Sequence, residues 1–167
     1  MTERFETDIP GLTLRQAGEE DTQLIREMLQ RLAESEGMES HLSATEELLR
    51  DSLFEKGAAE AVIAEYEGEP AGLAIYFQSY SGFTGMANIY LEDFVIRDEY
   101  RSRGFGRAVM KHLARLVKER GCGRLEWAVL NDNTRGIAFY ESIGASAADY
   151  LTVYRIRGEA LDKLAGE

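Results

Sequence analysis

Apolar positions follow two rhythms along this 167-residue chain, and each predicts its own kind of element. Leu24, Ile25, Met28, Leu29 and Leu32 fall three or four apart, which predicts a helix from Asp21 to about Gly37. Ser43-Ala44-Thr45-Glu46 reads as a capping box, with Leu48, Leu49 and Leu53 on one face of the helix that follows. Val109, Met110, Leu113, Leu116 and Val117 give the same rhythm from Gly104 to Arg120, and Gly121-Cys122-Gly123 ends it. Shorter β-branched and aromatic runs predict strands at Leu12–Arg15, Ala61–Tyr66, Ala71–Phe77, Tyr90–Ile96, Arg124–Leu130 and Tyr150–Ile156. Glu67-Gly68-Glu69-Pro70 makes a hairpin turn, while Ser79–Met86, with Tyr80 and Phe83 exposed, reads as a loop. Short helices are predicted at Thr134–Ile143 and Glu159–Leu164.

The helix between the Tyr90–Ile96 and Arg124–Leu130 strands is the crossover of a parallel βαβ unit. The predicted fold is therefore one α/β domain over residues 1–167. Its mixed sheet is antiparallel in the N-terminal part, parallel at the crossover and flanked by helices, with residues 1–10 as an extended lead-in. Trp127 is assigned to the core.

Composition narrows the class. With 44% hydrophobic and 29% charged residues the chain is an ordinary globular protein. Its single cysteine, Cys122, excludes an internal disulfide, and no Cys/His cluster suggests a metal site. The polar, acidic segment Met1–Asp8 does not resemble a signal peptide, and no apolar run is long enough for a membrane span, so a cytoplasmic protein is expected.

A net charge of −11 argues against a nucleic-acid partner. The distribution says more. Residues 1–70 carry 18 acidic and six basic side chains, whereas residues 101–120 carry seven basic and one acidic. One segment suits a polyanion and the remainder suits a cation.

Those basic residues follow the Tyr90–Ile96 strand, in Arg101-Ser102-Arg103-Gly104-Phe105-Gly106-Arg107. A strand, a glycine loop and a helix N-terminus in succession form a place where main-chain N–H groups can hold an anion. No Walker lysine is present, and Val109 stands at the third glycine of a Rossmann fingerprint. What remains, Arg101-x-x-Gly104-x-Gly106, resembles the acetyl-CoA loop of the GNAT N-acetyltransferase superfamily. Asn133 with Phe139-Tyr140-Glu141-Ser142-Ile143-Gly144-Ala145 resembles that family's downstream element. Tyr90-Leu91-Glu92-Asp93-Phe94 is similar to the spermidine/spermine (diamine) N-acetyltransferase branch and its bacterial relatives, as are Leu32-Ala33 with Glu36-x-Met38 and the Tyr154-Arg155-Ile156 tail.

The resemblance implies direct acetyl transfer from acetyl-CoA to a small cationic primary amine, a polyamine, diamine or lysine-like amino acid, by a homodimer. An amine with a pKa near 10 must lose a proton before it attacks a thioester; Glu92 is the implied base and Tyr140 the acid that protonates the leaving thiolate. Phe94, Val95 and Ile96 would offer main-chain groups to the reacting carbonyl and pantetheine arm. Arg101, Ser102, Arg103, Gly104, Phe105, Gly106 and Arg107 would hold the pyrophosphate, mainly through main-chain amides, with Asn133 and Arg135 contacting the cofactor. Glu36, Glu92, Asp93 and Glu126 are the implied amine contacts.

Departures from the branch pattern bear on the substrate. Ser35 stands where an aromatic residue precedes the Glu36 position, Phe83 where a tryptophan is common, and Glu27 where the first helix carries arginine. A peptide amine or an amine antibiotic is an alternative acceptor. A non-catalytic acyl-CoA sensor is a further alternative, one that would have no need of Glu92 and Tyr140.

Overall fold

Strands β1 (Arg4–Glu6), β2 (Leu12–Gln16), β3 (Glu60–Tyr66), β4 (Glu69–Ser81), β5 (Met86–Ile96) and β6 (Leu125–Trp127) build one sheet, hydrogen-bonded in chain order. Every neighbouring pair is antiparallel except β5 and β6, which run parallel as the crossover predicts. The computed structural model describes residues 3–166; Met1 and Thr2 of the predicted lead-in, and Glu167, lie outside them. The chain divides into two compact units, Met1–Ala128 and Val129–Glu167. All six strands belong to the first.

Helix α1 (Thr22–Glu36) ends at Gly37, whose φ of 65° is left-handed backbone that glycine adopts without strain. Its apolar face, Ile25, Met28 and Leu29, packs with Ile63, Leu73, Ile75 and Val95 of the sheet, and Leu49 closes this half of the core. Leu49 comes from α2 (Glu46–Leu49), which continues as a π-helical stretch over Arg50–Glu55. Here the cap differs from expectation. Thr45, not Ser43, accepts from the Leu48 N–H at 3.2 Å, because the helix begins two residues later than the capping-box pattern places it. Helix α3 (Phe105–Glu119) packs against β5 and β6 and buries Phe105, Val109, Met110, Leu113 and Val117. Leu116 is only half-buried.

Several predicted strand limits move. Half of the predicted Ser79–Met86 loop is strand, since β4 runs to Ser81 and β5 begins at Met86, leaving a turn over 82–85. Ladder pairing with the opposite strand overrides the loop-like composition there. Tyr80 and Phe83 are exposed as expected. Strand β1 falls in the predicted lead-in, and β6 covers only part of Arg124–Leu130. Trp127, assigned to the core, is half-buried.

The second unit holds α4 (Thr134–Ser142) and α5 (Glu159–Ala165). The predicted strand over Tyr150–Ile156 is absent: those residues have no ladder partner among the described residues. Alternation creates an apolar face but does not supply a partner.

Candidate active site

The ladder between β4 and β5 contains an irregularity that organises the site. Asp93 opposes Ile75, but the next β4 residue, Tyr76, opposes Leu91, which leaves Glu92 with no partner in β4. This is a β-bulge, a device that re-aims the side chains on either side of it. Glu92 emerges exposed, and Asp93 turns to the half-buried side that carries Ile75 and Val95 against α1.

Burial, then the charges of Glu92 and Glu36, push the Asp93 carboxyl up to about 6. Glu36, in the last turn of α1, is itself raised by burial. Tyr90 opposes Phe77 with ring centroids 5.2 Å apart, and its phenol is raised by burial and by the charges of Glu92 and Glu126. Glu126 lies level with Tyr90 across the β5–β6 pair, and its Oε2 is 2.9 Å from Arg124 Nε. The structure thus brings together all four acids named from the sequence. It adds Tyr90, which sequence reasoning placed in the strand and in the branch motif but gave no role; its place two residues before Glu92 was the available signal. Such a neighbourhood attracts a cation and disfavours an anion.

Beside these acids the sheet opens. Strand β6 follows β5 only from Ile89 to Leu91 and then stops, while β5 continues to Ile96. The Arg97 N–H donates to Ala71 O at 2.9 Å. Antiparallel alternation therefore turns the Val95 N–H toward β4 as well, and directs those of Phe94 and Ile96 to the side where β6 has ended. Of the three residues expected to offer main-chain donors there, Val95 alone faces the wrong way.

Past β5 the backbone twists twice through left-handed conformations, at Ser102 with φ 61° and Gly104 with φ 83°. Alternations of this kind gather N–H groups into a concave anion seat. Gly104 immediately precedes α3, and no side chain caps the helix. A Cβ at Gly104 would stand 3.3 Å from Ile9 Cδ1, in addition to the strain of its φ. An uncapped helix N-terminus behind a glycine that must stay bare fits a pyrophosphate. The arginine side chains contribute differently. Arg101 Nε donates to Ile96 O at 3.2 Å and its Nη2 pairs with Asp98 at 2.8 Å. The Arg103 guanidinium lies over the Tyr66 ring at 4.4 Å and near Phe105 at 5.3 Å. Both brace the loop, consistent with an anion held by main-chain donors. Phe105 is buried beneath the loop, Gly106 is half-buried and the Arg107 side chain is exposed.

Asn133, Arg135 and Tyr140 belong to the second unit. Asn133 Oδ1 accepts from the Gly136 N–H at 2.9 Å and so caps α4. A Cβ at Gly136 would meet Asn133 Nδ2 at 2.8 Å, so Gly136 is required by the cap. Arg135 is exposed in the first turn of α4, and the ring of Tyr140 lies 5.2 Å from that of Phe139. Among the described residues no group of three His, Cys, Asp or Glu side chains is placed to hold a metal, and no helix is long and apolar enough to cross a membrane.

Comparison with known proteins adds the chemical context. Residues 23–145 match the acetyltransferase (GNAT) family, a stretch that crosses the boundary between the two units. The thialysine N-epsilon-acetyltransferase of Bos taurus is 35% identical over 166 residues, covering 92% of this chain and 97% of the bovine protein. The Caenorhabditis elegans protein of the same name is 36% identical over 143 residues, covering 84% of this chain and 88% of its own. Among solved structures, an integron cassette protein from the mobile metagenome of V. cholerae shares the fold with a TM-score of 0.78 at 24% identity, over 94% of this chain and 99% of that one.

Proposed function

Because the chain belongs to the GNAT acetyltransferase family, we propose that it transfers acetyl from acetyl-CoA directly to the primary amine of a small cation. The substrate class is a diamine, a polyamine or a lysine-like amino acid. The observation that carries this reading is the clustering of Glu36, Glu92, Asp93 and Glu126 where β6 ends beside β5. A cationic amine drawn there arrives next to main-chain donors suited to the reacting carbonyl.

Acetyl-CoA supplies the activated acyl group. Glu92, exposed on the bulge, takes the proton from the ammonium so that nitrogen can attack the thioester carbonyl carbon. N–H groups of Phe94 and Ile96 stabilise the negative charge that develops on the carbonyl oxygen. As the carbon–sulfur bond breaks, Tyr140 gives its proton to the thiolate; the attacking nitrogen sheds its second proton to solvent, from which Tyr140 is reprotonated. The products are the N-acetyl amine and CoA, with the first proton left on Glu92. That role for Tyr140 rests on its match to the family motif, and phenol and thiol pKa values are close enough for the transfer. Gly104, Gly106 and the residues around them hold the pyrophosphate through main-chain amides. Arg107, Asn133 and Arg135 are further proposed cofactor contacts, Asn133 through whatever capacity its capping role leaves. Asp93, Glu36 and Glu126 hold the remaining positive charge of the substrate. The enzyme acts as a cytoplasmic homodimer, a state that sedimentation would test.

The deciding experiment is a CoA-release assay across putrescine, spermidine, lysine, thialysine, an aminoglycoside and a short peptide. Turnover on one of the first four supports the proposal. Preference for the aminoglycoside or the peptide redirects the substrate class, and turnover on none of them favours a sensor of acyl-CoA.

A further inference from the structure

Arg107, Lys111 and Arg115 recur every fourth residue of α3 and so share one face of it. That face overhangs a cavity of about 240 Å³ between α3 and the segment over residues 5–9, with the buried side chain of Leu14 at its base. Phe5, Ile9 and Ala108 supply apolar wall. His112 adds a polar one: its side chain is buried, its ring centroid lies 4.3 Å from that of Phe5, and its Nε2 has no hydrogen-bond partner among the described residues.

The lining carries both signs of charge, the cations Arg107, Lys111 and Arg115 and the carboxylates Glu6 and Asp8. One carboxylate is already seated: Asp8 Oδ2 accepts from Lys111 Nζ, and that contact, with Arg115 nearby, holds Asp8 below the usual carboxylate range. Both partners of this pair are largely exposed, with side-chain exposures of 77% for Asp8 and 50% for Lys111, so it gives way readily to a competing anion.

The geometry points to a second ligand site in this cavity, one that takes a small monocarboxylate with an apolar body. The tail lies against Phe5, Ile9, Leu14 and Ala108, and the carboxylate displaces Asp8 to meet Lys111 and Arg115. A concave, mostly apolar pocket with a few convergent polar groups is the usual form of such a site, and a body of this kind gains from burial what a free inorganic anion would not. The cavity adjoins the proposed pyrophosphate seat, since Gly104 and Arg107 line its rim, but the carboxylate's partners, Lys111 and Arg115, and the Asp8 it displaces belong to neither the pyrophosphate loop nor the acidic cluster.

The test is calorimetry of the full chain with octanoate, in the presence of saturating CoA so that the acyl cleft is not the site measured, and with octanamide as the same tail without the charge. Octanoate is expected to bind and octanamide to bind at least about tenfold more weakly. Asp8→Ala should tighten octanoate binding about two- to fivefold by removing the resident carboxylate, and Arg115→Glu should weaken it about fivefold or more. Both positions are exposed, so both variants should fold, which circular dichroism would check; Ala108→Trp, which fills the cavity, is a second blocking variant. No octanoate binding at 10 mM, equal binding of octanamide, or indifference to Asp8→Ala and Arg115→Glu would each overturn the site. None of these outcomes touches the amine assay, so failure here is distinguishable from failure of the acetyltransferase reading.

Discussion

Glu36, in the last turn of α1, stands near enough to Asp93 on β5 that its charge resists ionisation of the Asp93 carboxyl. Burial is the larger cause and Glu92 adds to it, so the folded protein holds this group at about 6. An unfolded aspartate titrates near 4, roughly. Between those values the folded state binds more protons, so stability falls as pH rises through the interval. Above it, keeping Asp93 ionised opposes folding by up to about 3 kcal/mol. Asp93→Asn should therefore raise Tm at pH 7.5 and leave it nearly unchanged at pH 4, while slowing amine acetylation. Scanning calorimetry at the two pH values checks this; equal shifts at both would mean that the carboxyl is not crowded as described.

Glu92→Gln removes the proposed base and retains the shape of the bulge. Without a base, the rate depends on the fraction of substrate amine already deprotonated, which rises tenfold for each pH unit below a pKa of about 10. The deficit in kcat should be about 100-fold near pH 7 and shrink toward pH 9. A variant whose pH–rate profile parallels that of the unmodified enzyme would transfer the role elsewhere, with Asp93 the next carboxylate to test.

How legible these features were in the sequence depends on how local their causes are. Helix α3 was readable because Val109, Met110, Leu113 and Val117 share a face and Gly104 and Gly121 bracket it. The parallel β5–β6 pair followed from that helix lying between two strands. The bulge was not readable, since Glu92 loses its partner only through the register between β4 and β5, a property of two segments together. For the same reason the sequence named Asp93 but could not say that it is half-buried beside Glu36. Strand β1 was missed because Arg4-Phe5-Glu6 is too short and charged to carry a periodic signal. The Tyr150–Ile156 prediction failed in the opposite way, as a strand-like pattern without a ladder. In the loop, the sequence showed a basic run suited to a polyanion but not where its side chains point, and Arg101 and Arg103 turn back onto Ile96, Asp98 and Tyr66.

Gly104→Val tests the anion seat. The left-handed φ of 83° costs a β-branched residue about 1–2 kcal/mol, and the new Cβ would press on Ile9 Cδ1. The added bulk also stands where main-chain donors must approach the pyrophosphate. Acetyl-CoA affinity should fall by about tenfold or more, measured by calorimetry on protein whose circular dichroism is unchanged. Retained affinity would locate the nucleotide away from this loop.

Asp21 governs the acid limit of stability. Its carboxylate is buried and takes both Arg15 Nη1 at 2.6 Å and Nη2 at 2.7 Å, with the Gly18 N–H at 2.8 Å. Burial works to raise its pKa, but the Arg15 and Gly18 hydrogen bonds win and hold it below the usual range. A depressed carboxylate contributes stability that is complete above its unfolded pKa of about 4 and lost as pH falls through the folded value. Asp21→Asn should destabilise the protein by about 2–4 kcal/mol at pH 7, because Arg15 loses its bidentate partner while most of its side chain stays buried. Urea unfolding at pH 7 and pH 3 checks both halves, the difference between variant and parent narrowing at the lower pH.

Tyr140→Phe separates proton donation from packing. The phenylalanine keeps the ring that lies 5.2 Å from Phe139 and removes only the hydroxyl. If that hydroxyl protonates the departing thiolate, kcat should fall about 100-fold or more. The acetyl-CoA dissociation constant should stay within about twofold, because the loss is confined to the transition state. A thiolate of lower pKa needs less help in leaving, so an acetyl donor built on a more acidic thiol should recover much of the lost rate in the variant while accelerating the parent less. Equal acceleration of both, or an acetyl-CoA affinity that collapses with the rate, would make Tyr140 a residue of the scaffold and leave the leaving group to be protonated by solvent.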